Sequence, residues 1–189
     1  MKAKPPFRSD VPWVKRQEIP DAQVLDAADQ YADAYRRLAA DPSGVLLPLI
    51  NLGAVAVELY LKSLSAEQKE VADDLVPSIS RVYASPAVSG SEGHRLTRQF
   101  EAIPDDVQNV LVEAYEAHPK QVLGADLSSV LTGLEGALMA SRYPFECGKD
   151  VTRYDLDHLG HLTEFLANFV RNLAPTVRIA WKTRGPTTR

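Results

Sequence analysis

An all-α fold, a bundle of four to five long helices plus short ones, is what this sequence predicts, on three observations. Apolar residues recur at three- and four-residue steps through most of residues 20–174, the period of a helix with one buried face. The stretch from Val45 to about Ser65 is apolar on most sides, which suits a helix surrounded by other helices. Strand-like alternation never runs beyond a few residues, and no internal repeat is present. At 189 residues, 45% hydrophobic and 24% charged, the chain is the right size for one well-buried core.

Residues 1–19 read as an irregular N-terminal arm, because Pro5, Pro6 and Pro12 oppose regular structure. Pro20 suits a first helical turn and Asp21 places negative charge near the positive helix end. Val24, Ala27, Ala28, Tyr31, Ala34, Tyr35 and Leu38 then mark an amphipathic helix that Asp41-Pro42-Ser43-Gly44 stops. In the second helix Leu47, Ile50, Ala54, Val57, Leu61 and Leu64 form one seam, and only Asn51, Glu58, Lys62 and Ser65 make a polar stripe. Its apolar run from Val45 to Val57 contains Asn51 and ends at Glu58. A membrane span needs roughly 20 apolar residues, so a buried helix and no membrane are expected.

Glu67 to Val76 reads as a charged helical segment, and 77–93 as a loop. A short helix follows His94, another begins at Pro104-Asp105-Asp106, and Asp126 caps a helix that runs to Arg142-Tyr143-Pro144. The last helix, about Asp155 to Leu173, carries Leu159, Leu162, Leu166, Phe169 and Leu173 inward. Residues 175–189 read as a basic C-terminal tail, leaving 20–174 as the helical bundle.

Net charge is −4, placed unevenly. Residues 1–16 sum to +4 and residues 170–189 to +5, so the middle, with 11 basic against 24 acidic residues, carries −13. An acidic body opposes a broad nucleic-acid surface, whose affinity comes mainly from phosphate neutralisation. The basic ends remain able to touch a polyanion or an acidic partner. A single cysteine, Cys147, excludes an internal disulfide and fits a reducing, cytoplasmic setting, and the N-terminus lacks the apolar run of a signal peptide.

Polar residues concentrate between Ser141 and His161. Arg153 and His158 stand five apart at the head of the last helix. Such a pair can hold a phosphodiester, imidazole moving a proton while guanidinium offsets phosphoryl charge. Equally, His158 is a core-edge histidine near a helix end, with Arg153 paired to Asp155 or Asp157. Arg142 and Glu146 bracket a proline turn, either binding an anion beside His158 or closing the helix end. Glu58 and Lys62, at i and i+4, are either an exposed ion pair or the lining of a cleft. A metal site at His158 and His161 is weaker, since helical phase puts His161 on the polar stripe of Asp157, Glu164 and Asn168. No cofactor is expected. His94 reads as a helix-start residue and His118 as a terminal one.

Taken in order, AVAVELYLKSL, GHRLTRQFEAIP, SRYPFE and Arg153 to His158 resemble the HEPN superfamily, helical domains of prokaryotic defence and toxin–antitoxin systems. The first resembles its central helix with a Glu…Lys signature, the second its histidine-leucine segment, the third the arginine-tyrosine helix end of an uncharacterised branch. The last is similar to the Arg-x4–6-His element of its ribonucleases. The resemblance implies a homodimer and metal-independent RNA cleavage. His158 would be the general acid or base and Arg153 the phosphate ligand, with Arg142, Glu146, Glu58 and Lys62 as substrate-binding candidates. It also implies a possible protein partner such as an antitoxin, or a non-catalytic binding module for a protein or nucleotide. Two positions depart from the active pattern: Tyr154 follows the motif arginine, where a small polar residue is common, and Arg95 stands where Gly-His-Asp-Leu is acidic.

Overall fold

The computed structural model describes residues 13–40, 45–71, 81–84, 94–118, 125–146 and 153–182. Four long helices carry the fold: α1 (Ala22–Ala39), α2 (Leu46–Ser63), α4 (Asp105–Glu116) and α7 (Leu156–Asn172). Three short ones, α3 (Leu96–Glu101), α5 (Leu127–Gly133) and α6 (Ala137–Arg142), connect them, so the mostly helical class read from periodicity holds.

Three of the four long helices, α1, α4 and α7, start where local chemistry satisfies their orphan N–H groups or their dipole. Asp21 caps α1, its Oδ1 accepting from the amides of Gln23 (3.1 Å) and Val24 (3.0 Å). Asp155 caps α7 in the same way, and Asp126 caps α5 through the Ser129 amide at 2.7 Å. For α4, Asp105 and Asp106 bring negative charge to the first turn. In α1 the buried positions Ala28, Ala32 and Tyr35 fall on one face, and the two alanines are small enough to let α2 come close. Around α2 the helices α1, α3, α6 and α7 assemble, and its Ile50, Ala54, Val57, Tyr60 and Leu61 are almost wholly buried. By length and hydropathy alone α2 resembles a membrane span, but its packing makes it the central core helix. On α7, Leu159, Leu162, Phe165, Leu166 and Val170 are buried, each contributing about 1.5–3 kcal/mol by leaving water.

The helix expected over 126–142 is two. Leu134 to Gly136 breaks it, with Gly136 at φ 79, a left-handed geometry that glycine adopts without penalty. The resulting turn carries Glu135 sideways, which matters for the site below.

A four-stranded antiparallel sheet accompanies the helices, which periodicity did not predict. Its strands are β1 (Trp13–Ile19), β2 (Glu67–Val71), β3 (Arg81–Ala84) and β4 (Thr176–Lys182), in the order β3-β2-β1-β4. Part of the expected irregular arm is therefore β1, the start of the expected charged helix is β2, the 77–93 loop contains β3, and the expected tail contains β4. The physical reason is non-local. β1 pairs with β4 along its whole length, Trp13↔Lys182 to Ile19↔Thr176, so the two ends of the chain satisfy each other's backbone groups. Ile19 closes the strand with 1% exposure inside the helical core, and Asp21, after the intervening Pro20, has its N–H bonded to the Ser63 carbonyl at 2.7 Å.

Candidate functional site

The head of α7 carries the two residues singled out first. Asp155 Oδ1 accepts from the amides of Asp157 (2.9 Å) and His158 (3.0 Å), which fixes the first turn. His158 Nδ1 then lies 3.7 Å from Asp155 Oδ2, while its Nε2 is buried and has no hydrogen-bond partner. Arg153 turns elsewhere. Its Nη2 donates to the Tyr154 hydroxyl at 2.6 Å, and its guanidinium carbon sits 4.8 Å from the centre of that ring. Arg153 and His158 therefore do not hydrogen-bond each other, nor does Arg153 pair with Asp155 or Asp157.

Tyr154 explains the arrangement. It is 5% exposed and packs with Ile50, Ala54, Ala137, Leu138 and Ala140, so it anchors the residues before α7 against α2 and α6. Its hydroxyl donates to the Glu135 carbonyl at 3.3 Å. A Cβ at Gly136 would lie 3.4 Å from that hydroxyl and 3.8 Å from Arg153 Nη2, ordinary contact distances, so it is the left-handed φ of 79 that calls for glycine here. A small polar residue at 154 would supply neither the core volume nor a hydroxyl that reaches the Glu135 carbonyl.

A second cluster joins two segments that lie far apart in sequence. Glu58 on α2 is only 5% exposed. It accepts from Lys62 Nζ at 2.5 Å and faces His94 Nδ1 at 3.1 and 3.2 Å. The i, i+4 pair is thus no exposed ion pair but a buried carboxylate with two half-exposed cationic or polar partners. His94, expected only to start a helix, does so while bracing α3 against α2.

Next to it, Arg95 pairs with Glu135 Oε1 at 3.1 Å, and Glu135 Oε2 accepts from the Thr97 amide (3.3 Å) and hydroxyl (3.2 Å). Glu135 escaped the sequence reading. It acts through the α5–α6 break, which a continuous-helix expectation hides. Its carboxylate compensates the basic Arg95, and its carbonyl receives Tyr154, so one residue links α3 to the head of α7.

Arg142 and Glu146 stay apart from both clusters. Both are exposed, and neither side chain makes a hydrogen bond or ion pair among the described residues. The neighbouring Ser141 is the one that reaches α2, accepting from Asn51 Nδ2 at 3.2 Å and donating to the Leu138 carbonyl at 2.9 Å. Cys147 lies outside the described residues.

His161 does not belong to a solvent stripe as its helical phase suggested. Its ring meets Tyr115 at 6.1 Å and His118 at 5.1 Å, both edge-on, and His118 in turn meets Phe165 at 5.6 Å. The end of α4 is what draws it inward. No group of three or more His, Cys, Asp or Glu side chains is placed to hold a metal among the described residues. Beside this aromatic cluster, α4 and α7 leave an open groove of about 340 Å³, lined by Val110, Ala114, His118, Phe165, Asn168 and Phe169.

Two further networks tie the helices together. Tyr60 donates to Asp29 at 2.7 Å and Arg171 pairs with the same carboxylate at 3.0 Å, joining α2, α1 and α7. Burial, with the Asp29 bond second, pushes the Tyr60 hydroxyl far above the ordinary phenol range. Arg178 of β4 donates to both Asp106 oxygens, at 2.7 and 2.6 Å, and this bond holds Asp106 below the usual carboxylate value. The chain matches no family model, no curated protein and no solved structure.

Proposed function

We propose that this chain is a HEPN-like helical module that binds a protein partner and does not cleave RNA through Arg153 and His158. The observation that carries the reading is the orientation of that pair. A general acid or base must reach the proton it moves. Here His158 Nε2 is shut off from solvent, while the Arg153 guanidinium is engaged by a tyrosine rooted in the core. Both residues serve the attachment of α7.

Two observations favour a protein partner over a polyanion. The central body carries 11 basic against 24 acidic residues, which repels phosphate. The α4–α7 groove is mainly apolar and aromatic, with Val110 48% exposed on its rim, the chemistry that receives an apolar side of another protein. The resemblance to a superfamily rich in toxin–antitoxin and defence proteins suits the same assignment.

The test is a mixed single-stranded and structured RNA pool incubated with pure protein in chelator, alongside His158→Ala. We expect no 2′,3′-cyclic-phosphate ends above the mutant's level, and no salt-dependent RNA binding in a polarisation titration. A wild-type cleavage activity lost in a correctly folded His158→Ala protein would overturn the proposal. So would RNA affinity that falls steeply with added salt.

A further inference from the structure

The α4–α7 groove has a length, a backbone chemistry and a charge, and together they select one kind of occupant. Its two helices run antiparallel. His118, just past the end of α4, meets His161 and Phe165, whereas Asp106 in the first turn of α4 reaches Arg178, five residues beyond Leu173. Val110, Ala114 and His118 line one wall at four-residue steps, and Phe165, Phe169 and Leu173 line the other in the same way. Each wall is therefore two turns, or about 12 Å, long.

Both walls are helices, so through most of their length the backbone N–H and C=O groups are already bonded within each one. An extended peptide lying between them would bury backbone groups with nothing to bond them. A third helix brings a backbone that is satisfied in itself. It presents apolar side chains over the same two turns, at i, i+4 and i+7.

Charge narrows the choice further. Glu113, three residues on from Val110, is exposed and makes no hydrogen bond or ion pair among the described residues. The cations that flank the end of the α7 wall in sequence, Arg171 and Arg178, are held by Asp29 and Asp106. Beside the groove stands an uncompensated negative charge, on a body with 11 basic against 24 acidic residues. A second copy of the chain brings the same acids and is repelled by them.

We infer that the groove receives an amphipathic helix of a protein partner, apolar at i, i+4 and i+7 and basic along the flank that faces α4. The inference rests on the binding-module reading and names the form of its partner.

Two designed peptides test it. They share one helical scaffold with leucine at i, i+4 and i+7 and differ in their flanks, lysine in one and glutamate in the other. In fluorescence polarisation against the full chain at about 20 mM salt, the lysine peptide should bind at least about fivefold tighter. Glu113→Lys, at an exposed position, should shrink that ratio at least about threefold with unchanged circular dichroism. Val110→Ser, on the half-exposed wall, should weaken the lysine peptide at least about threefold. A proline at the centre of the lysine peptide should weaken it at least about tenfold, because the bound form is a helix. A glutamate peptide that binds as tightly, a ratio indifferent to Glu113→Lys, or binding that survives the proline or Val110→Ser would each overturn the inference. So would a chain that self-associates through the groove, or no peptide binding up to about 1 mM. The RNA assay separates the two conclusions: cleavage lost in His158→Ala sinks the binding-module reading whichever peptide binds, and a glutamate peptide seated in the groove leaves that reading standing.

Discussion

Removing the Arg153 side chain tests whether this guanidinium is a structural brace or a group held ready for an anion. Arg153→Ala loses the 2.6 Å bond to the Tyr154 hydroxyl and the stacking over its ring at 4.8 Å. Arg153 is exposed, so the stacking contributes only about 0.5–1 kcal/mol. The hydrogen bond contributes about 0.5–1.5 kcal/mol net of solvation. Together they predict a loss of about 1–2.5 kcal/mol. Tyr154→Phe keeps the ring and its packing but removes the hydroxyl, so it also loses the bond to the Glu135 carbonyl. In the double mutant the Arg153–hydroxyl bond is counted only once. The cycle should therefore show a coupling of about 0.5–1.5 kcal/mol. Urea unfolding followed by circular dichroism reads this directly. With a slope of about 2 kcal/mol per molar, Arg153→Ala should lower the midpoint by about 0.5–1.2 M. Additivity within about 0.3 kcal/mol, with Arg153→Ala neutral in stability, would refute the reasoning. The guanidinium would then be free to serve a ligand.

Two further outcomes follow from the packing and the charges. At Gly53 on α2 an added Cβ would lie 2.9 Å from Leu159 Cγ and Cδ2 and 3.0 Å from Tyr35 Cδ2. Leu159 is fully buried and cannot step aside, so the roughly 1–3 kcal/mol cost of overpacking exceeds the roughly 1 kcal/mol helix gain, and Gly53→Ala should melt several degrees lower. Asp106 has a folded pKa below its unfolded one, so its contribution is full above the unfolded value and disappears as pH falls through the folded one. Asp106→Asn should therefore lower the urea midpoint at neutral pH, and the gap from wild type should close in acid, below about pH 4.

Helices and strands were not equally legible. The long helices announce themselves within a single window: Ala28, Ala32 and Tyr35, or Leu159, Leu162, Leu166 and Val170, repeat at helical spacing with an acidic cap in front. Strands β1 and β4 depend on partners more than a hundred residues away. WVKRQEI reads as a charged arm until TVRIAWK is placed beside it, and neither has a turn that forces a hairpin. A signal was nonetheless present in β4, where Val177, Ile179 and Trp181 alternate with Thr176, Arg178, Ala180 and Lys182. The basic charge of that segment drew the reading towards a tail.

The same distinction runs through the polar residues. Sequence spacing finds pairs on one element, and it found Glu58 with Lys62. It cannot show that Glu58 is buried or that His94, thirty-six residues on, completes the cluster. Spacing also put Arg153 and His158 together, because five residues at a helix head are close in any geometry. What decides between them is Tyr154: one large side chain in the α2–α6 interface draws the guanidinium towards Glu135, while Asp155 ties the first turn of α7. The residue that departs from the catalytic pattern is thus the one that engages the motif arginine. The α5–α6 break matters for the same reason. Without Gly136 in a left-handed turn, Glu135 would remain inside a continuous helix, and Arg95, Thr97 and Tyr154 would lose their common partner.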